Sequence, residues 1–214
     1  MRSPMAITQG DAAGIGPEII VKAFRDAPHD TRGCFVVGDL ATLRRAAAVV
    51  AGAGVPLPVA VLEDVQQVWH CPPGCIPLWP LTGADPNGPL VPFGQLSARA
   101  GQMAGECVVW ATQAALRGEI AALITAPLNK AALSLAGPPH DAFPGHTEML
   151  QAQVAVQRQQ TIAQWPVRMM LANDELRVVL VSIHVSLRDA LAAVTFDNVL
   201  QTLLITHHAL QALL

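Results

Sequence analysis

The sequence contains no tyrosine, and aromatic residues make up only 4% of it, so aliphatic side chains have to build its core. Charge is scarce as well. Asp, Glu, Lys and Arg account for 14% of residues against 52% hydrophobic, which is not the composition of a disordered chain. There is no basic excess: thirteen Lys and Arg against sixteen Asp and Glu leave a formal net charge of −3. No stretch clusters Lys and Arg, so no nucleic-acid partner is expected. Long hydrophobic runs are missing too. The longest uncharged apolar stretch, between Arg45 and Glu63, is broken by Gly52, Gly54, Pro56 and Pro58. It reads as helix, turn and strand rather than a membrane span. Met1-Arg-Ser-Pro4 runs straight into a strand without the apolar region of a secretory signal, so the expectation is a cytoplasmic protein with no membrane partner.

Cysteine is sparse. Of the four, only Cys71-Pro-Pro-Gly-Cys75 forms a close pair. A metal site needs a second pair or well-spaced histidines, and His70 alone is weak support. The pair reads as two thiols in a Pro-rich loop, and no cysteine is assigned a catalytic role.

What is present is an alternation of strands and helices. Met5–Thr8, Cys34–Val37 and Val59–Leu62 are short runs of buried-strand character, in line with a core of Ala, Val and Leu. Between them, Pro17–Ala27 and Leu40–Gly52 read as helices, the first with Pro17 and Glu18 suited to its first turn. This pattern predicts a doubly wound α/β layer around a parallel sheet. Residues 71–94 hold seven prolines and four glycines and read as a long irregular connection. A long helix over Ser97–Arg117, stopped by Gly118, and a strand at Ala121–Ile124 follow. Val167–Leu171 and Leu176–Ile183 flank Asn173-Asp174 as an antiparallel hairpin, read as part of a mixed sheet. A last helix, capped by Thr195, carries an apolar stripe of Phe196, Val199, Leu200, Leu203, His207 and Leu210.

Four segments have the residue types for chemistry. Gly10-Asp-Ala-Ala-Gly-Ile-Gly-Pro-Glu18 lies between a strand and a helix. It is neither a Walker A loop nor a dinucleotide fingerprint, because no Gly-Lys-Ser/Thr follows and Ile19 stands at the third glycine position. Asp11 either faces a ligand or is the acceptor of a tight turn. Thr125-Ala-Pro-Leu-Asn-Lys130 places Asn129 and Lys130 at another strand end. There Lys130 either binds a phosphate or carboxylate as a point charge or is a solvated helix-start lysine. Phe143-Pro-Gly-His-Thr-Glu148 sets His146 and Thr147 at a helix N-terminus, as donors to an anion or as an exposed ring beside a helix cap. Ser182-Ile-His-Val-Ser-Leu-Arg-Asp189 ends a strand with His184. That histidine is a hydrogen-bonded residue or a metal ligand with too few partners in this chain, since His207 and His208 are adjacent on a helix and cannot both face one site.

Together and in this order, the four segments resemble the PdxA family. Ile7–Glu18 matches the family's Ile-Thr-Met-Gly-Asp-Pro-Ala-Gly-Ile-Gly-Pro-Glu with Gln9 for Met and Ala12 for Pro. Gly94-Gln-Leu-Ser-Ala98, Thr125–Lys130, Pro144–Glu148 and Leu176–Val178 also match. Ser182–Asp189 is similar to Thr-Thr-His-x-Pro-Leu-Arg-Asp with Ser186 for Pro.

The resemblance implies a fold like isocitrate and isopropylmalate dehydrogenases, with two α/β/α domains flanking a cleft and a homodimeric assembly. The division expected is residues 1–127 for the first domain and 128–214 for the first part of an incomplete second, dimerising domain. It implies oxidation and decarboxylation of 4-phosphooxy-L-threonine in pyridoxal phosphate biosynthesis, with NAD and a divalent metal (Zn, Mg or Co). In that chemistry NAD accepts a hydride, and the metal polarises the oxygen and then the new ketone as CO2 leaves. By resemblance, His146 and Thr147 hold substrate positions and His184 the first of three metal histidines. Asp11, Asn129 and Lys130 approach the cleft without a defined role. A paralogue acting on D-threonate or D-erythronate 4-phosphate and a non-catalytic binder of phosphorylated ligands are the other readings. The remaining family metal motifs, Asn-Pro-His-Ala-Gly-Glu and Tyr-His-Asp-Gln, do not occur in the 214 residues. The chain as it stands is therefore expected to be inactive or very weakly active.

Overall fold

The computed structural model describes residues 3–81, 89–143 and 145–213. It forms two compact units, Met1–Gln159 and Gln160–Leu214.

The first unit is built on strands β1 (Met5–Thr8), β2 (Cys34–Gly38), β3 (Val59–Val61), β4 (Ile76–Pro80) and β5 (Ala122–Thr125). They form one five-stranded sheet in the order β3-β4-β2-β1-β5, with every pairing parallel. Alternate residues feed opposite faces, as the two-residue strand period requires. Ile7 and Val36 face helices α1 (Gly16–Asp26) and α2 (Leu40–Ala51), joining Ile20, Val21, Leu43 and Ala47 in one core. Ala6 and Phe35, paired in register, face α3 (Ala98–Leu116) and pack with Met103, Cys107 and Ala111. The result is the expected α/β layer, covered on both faces.

One element departs from the expectation. Residues 71–94 are not a single irregular connection, because β4 lies within them and sits between β3 and β2. Two prolines hide it, since proline argues against a central strand. Both sit where the ladder needs no N–H. Pro77 precedes the first pairing with β2, at Leu78, and Pro80 lies beyond the last pairing with β3, also at Leu78. Residues 82–88 of that stretch lie outside the described residues.

Helices α4 (Lys130–Leu135) and α5 (His146–Gln157) pack on α3 through Val108, Leu133 and Met149. That packing keeps them in the first compact unit, so the units divide later than residues 127/128. Gly101 makes the α3–α4 approach possible: a Cβ there would lie 1.9 Å from the carbonyl oxygen of Ala132.

The second unit holds the antiparallel pair β6 (Met170–Ala172) and β7 (Arg177–Val179), then α6 (Leu187–Ala193) and α7 (Phe196–Leu213). The hairpin is a two-stranded sheet of its own rather than part of a mixed one. Asn173 shapes its turn by accepting from the N–H groups of Glu175 and Leu176 at 3.0 and 2.7 Å. Thr195 caps α7, accepting from Asn198 at 3.3 Å. Arg168 ties α7 down through polar contacts, donating to Asn198, Gln201 and Thr202 at 2.7–2.8 Å. Phe196, Leu200 and Leu203 of the apolar stripe are exposed. No helix among the described residues is long and apolar enough to cross a membrane.

Candidate functional site

β1 continues through α1 to β2 on one side and has β5 on the other. The crevice outside the carboxyl ends of β1 and β5 is thus a topological switch point, where open α/β sheets place ligands.

The β1 end is closed on itself. Asp11 accepts from Ala13 N–H through Oδ1 at 2.9 Å and from Gly14 N–H through its backbone carbonyl at 3.1 Å. Its own N–H donates to the Pro127 carbonyl at 2.9 Å. The tight-turn reading of Asp11 is therefore realised. The N–H donors of Ala13 and Gly14 are thus spent within the loop and are not free for a pyrophosphate. Gly10, at φ +72°, is required here, because a Cβ would sit 2.4 Å from the Pro127 oxygen.

Beyond β5, Asn129 caps α4, its Oδ1 accepting from Ala131 and Ala132 at 3.0 and 3.1 Å. Lys130 is exposed and leans toward the start of α5. A Cβ on Gly145 would lie 3.7 Å from Lys130 Cε and 3.5 Å from Glu148 Oε2. Gly145 is the N-cap of α5 and supplies no side-chain acceptor. Among the described residues no side chain caps the first-turn N–H groups of this twelve-residue helix. Thr147 lies inside the helix, so it is not the cap.

His146 is half-buried, and its Nε2 is buried without a hydrogen-bond partner among the described residues. Burial pushes its pKa below the ordinary 6.5. A hydrogen bond to the Ala126 carbonyl opposes that shift, and the positive charge of Lys130 adds to it. Asp11, Asn129, Lys130 and His146 are thereby gathered around Ala126–Pro127, and Thr147 follows His146 in the first turn of α5.

His184 belongs to the second unit. It does not close a strand: β7 ends at Val179, and His184 is an exposed turn residue at φ +54°. Ser186, where the family pattern has proline, caps α6 by accepting from Asp189 N–H at 3.2 Å. No three His, Cys, Asp or Glu side chains come together among the described residues. His184 brings one imidazole and no second donor, so these residues do not fit a metal centre.

Two residues that sequence reasoning passed over shape the site. Gln9 is fully buried, and its Oε1 accepts from Asp39 N–H at 2.7 Å, joining the ends of β1 and β2. A polar residue ending a buried strand was the available signal. Arg45 donates to the carbonyls of Ala12 and Val91 and stacks on Phe93 at 3.9 Å, clamping residues 91–93 over the β1 turn. Nothing in its helical sequence context marks it.

The geometry defines a doubly wound α/β protein with a crevice at its switch point. The chain belongs to the PdxA family: residues 30–214 match the family described as pyridoxal phosphate biosynthetic protein PdxA. It is 37% identical over 210 residues to a 4-hydroxythreonine-4-phosphate dehydrogenase of Beijerinckia indica, covering 98% of this chain and 57% of that protein. It is 40% identical over 199 residues to a D-threonate 4-phosphate dehydrogenase of Salmonella typhimurium, covering 92% and 56%. Among solved structures, a putative 4-hydroxythreonine-4-phosphate dehydrogenase from Salmonella typhimurium superposes with a TM-score of 0.79 at 37% identity, covering 98% and 60%. The chain thus spans a little over half the length of these relatives.

Proposed function

We propose that this chain forms the phosphate-gripping side of a PdxA-type dehydrogenase. In the whole protein that enzyme would oxidise and decarboxylate 4-phosphooxy-L-threonine with NAD, in the cytoplasm, as a homodimer. The observation that carries this reading is the uncapped start of α5 beside Lys130 and His146. The N–H groups of the first turn and the Thr147 hydroxyl donate to the anionic group, the Lys130 ammonium supplies charge, and His146, whose other ring nitrogen serves the Ala126 carbonyl, adds a hydrogen bond through Nε2 when it takes up a proton beside the anion. Asp11 and Asn129 act through the two loops they shape. Holding the substrate by a remote anionic group positions its reacting carbon and lowers the entropic cost of the chemical step.

NAD is proposed to bind outside the β1 turn. His184 is proposed as a single ligand whose partners would come from outside this chain, and no chemical step is assigned to a metal here. The chain by itself is proposed to be inactive or very weakly active. NADH formation with 4-phosphooxy-L-threonine and added Zn2+ tests this, and turnover like that of an ordinary dehydrogenase would refute it.

A second reading is D-threonate or D-erythronate 4-phosphate as substrate, favoured by the 40% identity to a D-threonate 4-phosphate dehydrogenase. Parallel assays of these phosphates, on a protein extended to the length of its relatives, separate the two. Calorimetric binding of a phosphorylated ligand with no turnover in that longer protein would favour the non-catalytic binder instead.

A further inference from the structure

The close cysteine pair has no part in the crevice, and the structure makes it a preformed dithiol. Cys71-Pro-Pro-Gly-Cys75 leads directly into β4. Its prolines fix their own φ and Gly74 takes φ +75°, so the loop turns back and its ends meet. The Cys75 thiol donates to the Pro72 carbonyl at 2.9 Å, and the Cys71 and Cys75 thiols lie within hydrogen-bonding reach of each other. Both are free and half-buried. They line a cavity of about 370 Å³ at the amino ends of β2 and β4, the end of the sheet opposite the crevice. Its walls all come from residues 24–77, so the first unit encloses it by itself. The Trp69 indole forms one wall, packed so close to Gly33 that no Cβ fits there. Arg32 and His29 also line the cavity, and no carboxylate does among the described residues.

We propose that Cys71 and Cys75 form a thiol–disulfide exchange site whose substrate is a small anionic disulfide received in this cavity. The Cys71 thiolate attacks one sulfur of the disulfide RS–SR, whose S–S bond breaks. The departing RS− takes up a proton, matching the one Cys71 gave to solvent. The Cys75 thiolate then attacks Cys71 Sγ in the mixed disulfide. The Cys71–Cys75 bond forms, and the second RS− leaves and is protonated in turn. Two protein thiols are oxidised, and one disulfide is reduced to two RSH. Burial raises both thiols, but the hydrogen bond from Cys75 favours the Cys71 thiolate, which assigns Cys71 the first attack. The second attack needs no loop closure, because the turn already holds the sulfurs together. The Arg32 guanidinium attracts an acidic disulfide and the thiolate that leaves it. Cys34 also borders the cavity but is buried, its thiol turned to the Asp30 carbonyl at 4.0 Å.

The test exposes the reduced full chain to oxidised glutathione, an anionic disulfide, and in parallel to cystamine, a cationic one. Remaining thiols are trapped with N-ethylmaleimide in denaturant, and peptides are mapped by mass spectrometry. Cys71 and Cys75 are expected to be lost together as an intramolecular disulfide while Cys34 and Cys107 stay reduced. Measured against the urea-unfolded chain, folding should favour glutathione over cystamine severalfold, and Arg32→Gln, at an exposed position, should shrink that preference. Cys75→Ser should stop at the mixed disulfide, with one glutathione held on Cys71. Oxidation that begins at Cys34 or Cys107 would overturn the proposal. So would a parent chain that stops at the mixed disulfide, thiols that stay reduced, or the same preference in folded and unfolded chains.

Discussion

The backbone N–H of Asp11 donates to the carbonyl of Pro127 at 2.9 Å, tying the turn after β1 to the loop after β5. Everything gathered at the crevice hangs on that junction. It fixes the Ala126 carbonyl that His146 approaches and the loop that ends in the Asn129 cap.

Gly10→Ala should damage that junction. The new Cβ would meet the Pro127 oxygen at 2.4 Å, and the position has φ +72°. A loss of about 1–3 kcal/mol is expected, from left-handed strain and the forced separation of the loops. Urea unfolding monitored by tryptophan fluorescence measures it, and a variant as stable as the parent would contradict the close approach.

His146 should make the first unit sensitive to mild acid. Its pKa in the folded chain lies below 6.5, so the folded form takes up the proton less readily than the unfolded one. Its contribution to stability is in place above the unfolded value and is lost as pH falls through the folded value. Lys130→Met should raise the His146 pKa, because the lysine charge is one of the downward influences. Inorganic phosphate bound at the start of α5 should raise it too. NMR titration of the imidazole reads both shifts, and a His146 pKa that neither change moves would remove Lys130 and phosphate from its surroundings.

Asn129→Ala should cost about 1 kcal/mol, the ordinary value of an N-cap, because Oδ1 serves two backbone donors. Asn129→Asp keeps the acceptor and should remain close to the parent. Equal losses in the two variants, measured by urea unfolding, would mean that the cap is not what Asn129 provides.

The cysteines should separate by reactivity. Burial raises all four thiols, Cys107 up to about 12, but Cys34 and Cys107 are buried while Cys71 and Cys75 are half-buried and within reach of a reagent. Iodoacetamide at neutral pH should label Cys71 and Cys75 in the native chain and spare Cys34 and Cys107 until denaturant is added. Peptide mass spectrometry reads the pattern, and rapid native labelling of Cys107 would contradict its burial.

Much of the first unit was legible in order and type. The runs at Met5–Thr8 and Cys34–Val37 announce strands because buried parallel strands are continuous apolar segments. Pro17 and Ser97 mark helix starts because capping chemistry is local. β4 was not legible, since Ile76-Pro-Leu-Trp-Pro80 looks unfit for a ladder until the pairing shows that neither proline has a bond to give. The stripe on α7 was legible as a pattern, but the pattern does not reveal what covers it. Arg168, far away in sequence, takes the opposite, polar face.

The sequence by itself determined the family and the parallel α/β layer, because motifs and strand periods are written in neighbouring positions. Only the tertiary structure decided what the motif residues do. It turned Asp11 inward as a turn acceptor, made Asn129 a cap, and brought Lys130 to the open start of α5. It also left His184 exposed without fellow ligands among the described residues. These outcomes depend on which carbonyl, charge or empty space lies opposite each side chain. That is fixed by loops converging from distant parts of the chain, which no local pattern encodes.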